Sequence, residues 1–238
     1  MNILAIESSA RSASCAVLRD GELFCRADQA TGLTHSRTLM PMVESMLQNA
    51  ELTPQDMDVI AVAAGPGSFT GLRIGVAAAK GLAWALEKPC AAVSTLEAMT
   101  APLSHMDAVV IGAMDARRHQ IYNALFRTRG GIWERKTPDR AISLEDLAEE
   151  LKGEKRVPPR FPQLVVGDGA ELCRDYLLSQ DIACELAPRH LRLQSAVGVA
   201  LAAWPRVQAG ELCTAQELTP AYLRLSQAER ERLAREQR

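Results

Sequence analysis

Aromatic residues make up only 4% of this chain, too few for the stacking platforms on which single strands of nucleic acid are read. Net charge is equally sparse. A formal −2 gives no global attraction to nucleic acid or to an anionic membrane, so any RNA contact needs a local basic patch or a partner's surface. The six cysteines, Cys15, Cys25, Cys90, Cys173, Cys184 and Cys213, include no C-x-x-C pair and lie mostly in apolar runs, where cysteine behaves as a small hydrophobe. Neither disulfides nor a zinc site are expected. The four histidines, His35, His105, His119 and His190, never stand at i and i+4, so no helix presents a paired metal site. No G-x-S-x-G elbow supplies a serine nucleophile. No charge-free apolar run is long enough to span a bilayer, and Ile3-Leu4-Ala5-Ile6 stops at Glu7. The expectation is a cytoplasmic protein that does not engage membranes.

What is present is ordinary in amount and distinctive in arrangement. Hydrophobic residues are 47% and charged residues 24% of 238, enough for one large or two small globular domains. The chain is organised around Gly65-Pro66-Gly67-Ser68-Phe69-Thr70-Gly71-Leu72-Arg73-Ile74-Gly75. An apolar run, Val59 to Ala63, reads as a buried strand before it, and a helix to Leu86 follows. Ser68 or Thr70 suits the helix cap. A helix start beside glycines can bind phosphate, but the spacing is neither G-x-G-x-x-G nor the P-loop. The spacing favours a tight turn that packs the helix on a sheet. Within that helix Arg73, Lys80 and Glu87 form a charged stripe, and Leu72, Val76, Ala79, Ala83 and Leu86 an apolar face. Gly71, Gly75, Ala78 and Leu82 form a second face of mainly small residues, open to close approach by another helix.

Elsewhere, strands are expected at Asn2 to Ile6, Ala13 to Leu18 and Leu23 to Ala27, joined by a polar turn from Glu7 and an Asp20-Gly21 hairpin. A helix from His35 to Ala50 places Leu39, Val43, Met46 and Leu47 at helical spacing around Pro41. Thr53-Pro54 opens a short helix, Cys90 to Val93 is a strand, and Ser94-Thr95-Leu96-Glu97 matches a capping box. The plan then repeats: strand Ala108 to Met114, polar turn from Asp115, strand His119 to Arg127, turn Gly130-Gly131, strand Ile132 to Lys136. A helix capped by Ser143, a proline-rich loop over residues 155–162, a strand at Leu164 to Val166 and a helix to Ser179 follow. Ile182 to Leu186 reads as a strand and Ser195 to Gly210 as a helix interrupted at Pro205. The expected division is 1–104, 105–225 and a charged tail, 226–238. This is an α/β chain with duplicated strand-rich halves, resembling the two-lobed actin/sugar-kinase/Hsp70 architecture.

In kinase-like chains of two lobes the two hairpin turns hold phosphates. Here they read Glu7-Ser8-Ser9-Ala10 and Asp115-Ala116-Arg117-Arg118. Neither contains glycine, so close backbone approach to a phosphate is hindered. Asp115 reads as a local ion-pair partner for Arg117 or Arg118. No catalytic residue, metal site or cofactor is assigned. An ATPase or small-molecule kinase of the same fold is the rival from another class.

These residues resemble a known family. Ile3 to Ser9, His35-Ser36-Arg37 with Leu39 and Pro41, Gly65 to Gly75, Val93 to Ala98, Asp115 to Arg118 with Ile121-Tyr122, and Pro220 to Arg224 are similar, in order along the chain, to the TsaB (YeaZ) family. The resemblance implies a subunit for threonylcarbamoyladenosine synthesis in tRNA. Its partners would be the catalytic paralogue TsaD, then the ATPase TsaE, with tRNA met through the complex and a homodimer formed alone. It also implies contact helices carrying His35, Leu39, Met42, Val43, Met46, Gly71, Gly75, Ala78 and Leu82. TsaD reads V-N-H-L-E-G-H where this chain reads Val93 to Met99, so Thr95 and Met99 replace the metal histidines. Glu7 replaces the family's usual Asp, and Ala10 its Thr. The implied role is a non-catalytic scaffold.

Overall fold

The computed structural model describes residues 1–117, 120–153 and 161–224. β1 (Asn2–Glu7), β2 (Ala13–Arg19) and β3 (Glu22–Gln29) form an antiparallel meander. Asp20 and Gly21 take φ of 52° and 87° between β2 and β3, as a two-residue Asp-Gly hairpin requires. α1 (His35–Asn49) runs through Pro41 and buries Leu39, Val43, Met46 and Leu47, the four residues that its periodicity places on one face. β4 (Val59–Gly65) is buried throughout and lies parallel to β1. α2 (Phe69–Leu86) leads to β5 (Cys90–Ser94), parallel to β4. The sheet order is β3-β2-β1-β4-β5. The Ser94 hydroxyl caps α3 (Thr95–Thr100) by accepting from the Glu97 N–H at 3.2 Å.

The second half repeats the first. β6 (Ala108–Asp115), β7 (Gln120–Arg129) and β8 (Ile132–Arg135) form a meander. β9 (Arg140–Ser143) pairs with the opposite end of β7. α4 (Leu144–Gly153), β10 (Gln163–Val166), α5 (Ala170–Ser179) and β11 (Glu185–Leu186) follow. The order β11-β10-β6-β7-β8 matches the first sheet strand for strand. Alternation along β7 sends Ile121 and Leu125 to one core and Ala124 and Phe126 to another, because helices cover both faces of the sheet.

Three expectations need correction. The expected elements include no strand over Arg140–Ser143, where β9 forms, because four residues carry too little periodicity. The strand expected over Ile182 to Leu186 shrinks to Glu185–Leu186. α6 (Ala196–Gln208) is continuous through Pro205. The boundary at 104/105 is also crossed. The second sheet does start there, but α6 returns to the first sheet. Ala196, Val199, Ala200 and Ala203 pack with Ala5, Ala61, Ala63 and Ala91, small residues on both sides that let helix and sheet approach closely. The Ala196 N–H donates to the Ser14 hydroxyl at 2.8 Å. The tail 226–238 lies outside the described residues.

Glu97 joins the lobes. Its carboxylate accepts from Trp133 Nε1 (3.2 Å), Arg135 Nη2 (3.1 Å) and Arg206 Nη2 (2.9 Å), so it ties α3 to β8 and α6. The Glu97 side chain is only 13% exposed. Removing one partner of such a cluster leaves the rest desolvated and uncompensated. Glu97→Gln is expected to lower unfolding free energy by about 2–3 kcal/mol, read by urea denaturation. Glu211→Gln, at an exposed carboxylate, should change it little.

Candidate functional site

Glycines bring α2 down onto the first hairpin turn. A Cβ on Gly71 would overlap the Ser8 carbonyl oxygen, and one on Gly75 would overlap the Ser8 hydroxyl. Gly67 meets Ser9 in the same way, and Gly65, at φ +130°, meets the Ala221 carbonyl. Hydrogen bonds lock this seat. The Ser8 hydroxyl donates to the Gly71 carbonyl at 2.9 Å. The Ser68 N–H donates to the Ser9 carbonyl at 2.7 Å. Ser68, rather than Thr70, caps α2 by accepting from the Gly71 N–H at 3.3 Å. The Ser68 and Gly71 amides at this helix start are thus engaged within the chain.

This overturns one sequence expectation. Gly71 and Gly75 are buried against Ser8 in their own lobe, so they are not a free face for another helix. Leu39, Val43 and Met46 likewise belong to the first lobe's core. Ala78 and Leu82 are half-buried against it, as is Met42. His35 is half-buried, its Nε2 2.8 Å from the Ala10 carbonyl. The face left open on α2 is another one: Ile74 and Ala78 half-buried, Ala77, Gly81, Trp84 and Ala85 exposed. Trp84 is 70% exposed. These positions recur at the three- and four-residue steps of a helix-pairing seam. The signal was in the sequence as a second small-residue stripe. Periodicity alone does not say which stripe faces inward.

The charged stripe of α2 also meets another segment, at Arg73 and Lys80, while Glu87 is exposed. After α6 the chain runs back along this helix as a strap. Cys213 pairs with Cys90, Lys80 Nζ donates to the Gln216 and Leu218 carbonyls (3.2 and 3.1 Å), and the Ala221 N–H donates to the Ala64 carbonyl (2.7 Å). Tyr222 stacks on Phe69 at 4.5 Å and accepts from Arg73. Arg224 donates to the Ala116 carbonyl of the second lobe.

A cleft of about 850 Å³ lies between the lobes, lined by Ser9, Gly67, Asp115, Arg117, Asp168 and Tyr222 among others. Asp115 does not form the expected ion pair with Arg117. Its carboxylate accepts from the Arg117 backbone N–H at 2.7 Å, and Arg117 takes φ +62°. Arg118 and His119 lie outside the described residues. Partial desolvation, and then the charge of Asp115, push the Asp168 carboxyl above its ordinary range. Glu7, the acid of the first turn, is fully buried. Its Oε1 accepts from the Ser9 N–H at 2.5 Å, and its Oε2 has no partner among the described residues. Burial raises its pKa against the opposing hydrogen bonds. Thr95 and Met99 are wholly buried in α3, with Met99 packed beside Leu96 and Phe126.

Two matched halves, each a five-strand path with a turn facing a shared cleft, define a member of the actin/sugar-kinase/Hsp70 class. Known proteins match it over most of its length. The profile of the family described as TsaD, tRNA N6-adenosine threonylcarbamoyltransferase, matches residues 29–232. The tRNA threonylcarbamoyladenosine biosynthesis protein TsaB of Bacillus subtilis is 35% identical over 236 residues, 96% of each chain. The structure of YeaZ from Pseudomonas aeruginosa has a TM-score of 0.77 at 25% identity, covering 93% of this chain and 99% of that one. Component A of the (R)-2-hydroxyglutaryl-CoA dehydratase of Acidaminococcus fermentans has a TM-score of 0.51 at 14% identity, covering 87% of this chain and 99% of that one, and shares the fold alone. The chain belongs to the TsaB (YeaZ) family.

Two outcomes test the seat. Gly71→Ala should destabilise the fold through its clash with Ser8. Gly81→Ala, where nothing lies within 4 Å, should stabilise it by about 0.5–1 kcal/mol through helix propensity. Thermal melts of the two variants decide this. Glu7 gives a pH test. A carboxyl whose folded pKa is raised binds its proton more tightly in the folded state, so stability falls as pH rises from the ordinary value towards the raised one. Glu7→Gln removes that slope. Its stability relative to the parent should therefore rise with pH, by at most about 1.4 kcal/mol per unit, in urea titrations across that interval.

Proposed function

We propose that this chain is a non-catalytic scaffold in tRNA threonylcarbamoyladenosine biosynthesis, and that it works by pairing with the TsaD transferase. The observation that carries the reading is the outward seam of α2, Ile74, Ala77, Ala78, Gly81, Trp84 and Ala85, an apolar strip on a helix whose other faces are already packed or strapped. A paralogue with the same duplicated plan would offer a matching helix. Small residues at Ala77, Gly81 and Ala85 permit close approach, and Trp84 supplies the aromatic anchor typical of interface hot spots. In the absence of TsaD a second copy would use the same seam, so homodimer and heterodimer exclude each other. The ATPase TsaE would join the pair, and tRNA would be met through the complex.

The rival, an ATPase or small-molecule kinase, is supported less well. The first turn buries its acid and engages the Ser68 amide, at the cap of α2, with its own carbonyl. The burial of Thr95 and the core packing of Met99 favour the scaffold, because the resemblance sets those positions against the metal histidines of TsaD.

Ala77→Arg and Trp84→Ala are expected to leave the melting temperature near that of the parent, since both side chains are exposed. Ala77→Arg should abolish co-purification with TsaD and the stimulation of tRNA modification. Trp84→Ala should weaken pairing by about 2 kcal/mol or more, roughly thirtyfold. A folded Ala77→Arg protein that still pairs and still supports modification overturns the assignment.

A further inference from the structure

The strap begins at a pair of cysteines. Cys90 opens β5, an edge strand of the first sheet. Cys213 lies opposite it in an isolated antiparallel bridge. The two exchange both backbone hydrogen bonds, Cys90 N–H to the Cys213 carbonyl at 2.8 Å and Cys213 N–H to the Cys90 carbonyl at 2.9 Å. Residues facing each other in such a pair have Cα atoms about 5.5 Å apart and side chains on the same face. That separation falls inside the range of about 4.4–6.8 Å spanned by disulfides. Both side chains border the same apolar core. Cys90 is buried and Cys213 partly exposed.

No other cysteine pair shares this geometry. Cys15 faces Ala27 and Cys25 faces Val17, so those two are out of register across the strands. Cys173 sits in α5, and Cys184 precedes β11 with its sulfur 4.0 Å from the Arg174 carbonyl.

We propose that Cys90 and Cys213 form a reversible disulfide that clamps the base of the strap to the edge of the first sheet. The oxidant is a low-molecular-weight disulfide, and the step is exchange. The Cys213 thiolate attacks one sulfur of the oxidant, releasing one thiol and leaving a mixed disulfide. The Cys90 thiolate then attacks the Cys213 sulfur and expels the second thiol. Two protein thiols are oxidised and one small disulfide is reduced to two thiols. Burial, and then Cys213, push the Cys90 thiol up to about 11. Burial, and then the charge of Glu217, raise that of Cys213, with Lys80 opposing both. The exchange is accordingly slow without excess oxidant. The Cβ atoms of hydrogen-bonded strand partners sit wider than the roughly 3.5–4.5 Å that a relaxed disulfide prefers, so the bond would be easily reduced, as regulatory disulfides are.

The clamp would act along the strap, because the next anchors after Cys213 are Lys80 on Gln216 and Leu218, then Ala221 on Ala64. The test treats the full chain with excess oxidised glutathione, then counts thiols in denaturant and maps cross-linked peptides. Titratable thiols should fall from six to four, with Cys90 joined to Cys213 and full recovery on adding dithiothreitol. Cys213→Ser should retain all its thiols, while Cys25→Ala should still lose two. Hydrogen exchange at the Ala221 amide should slow in the oxidised parent and stay unchanged in treated Cys213→Ser. Six surviving thiols, a different cysteine pair, a glutathione left on Cys213, or unchanged exchange at Ala221 overturns the proposal.

Discussion

The structure depends on how closely α2 approaches the turn after β1. Gly71 and Gly75 remove the side chains that would stand between helix and turn, and the Ser8 hydroxyl and Ser9 carbonyl bond into the space so made. α2 connects the parallel strands β4 and β5 and must be seated flat on the sheet, and at the turn after β1 that contact is backbone against backbone. The consequence is chemical. Two amides at this helix start, those of Ser68 and Gly71, donate to Ser9 and Ser68. The acid of the turn is buried with one oxygen unpaired among the described residues.

The chain's return to its first lobe explains the rest of the surface. α6 covers one face of the first sheet with alanines, and the strap then covers the Arg73 and Lys80 side of α2. Glu97 gathers Arg135, Arg206 and Trp133 at the point where β8 and α6 meet α3. The two lobes are therefore joined by a shared carboxylate as well as by Arg224 of the strap on the Ala116 carbonyl. Covering so much of α2 confines its exposed apolar surface to one strip.

Local pattern made the strands and helices legible. Alternation found both meanders, and the four buried residues of α1 follow from its spacing. The repeated strand-turn-strand plan disclosed the duplication that the two sheet orders display. What escaped is long-range. Nothing near Ser195 shows that α6 packs on strands that precede it by more than a hundred residues. Cys90 and Cys213 look scattered until the bridge sets them face to face. On α2 the periodicity displays two small-residue stripes, and the glycine stripe was assigned outward. The Ser8 turn, remote in sequence, claims it. Asp115 looks like an ion-pair partner from its neighbours, whereas the turn's own N–H is nearer than any guanidinium among the described residues.

Those two stripes give α2 its particular place in the molecule. Residues six apart on a helix are rotated by about 120°, so the Gly71–Gly75 row and the Ala77–Gly81 row face different ways on the same rigid rod. One row fixes the rod to the first sheet at backbone distance. The other is thereby held at a set angle and height above that sheet, which in the proposed pairing would leave it little freedom to lose to a partner helix. Less ordering cost on association leaves more of the contact energy as affinity. In the proposed pairing, the glycines that seat α2 at backbone distance on the first turn would also hold the outer strip in place for a partner helix.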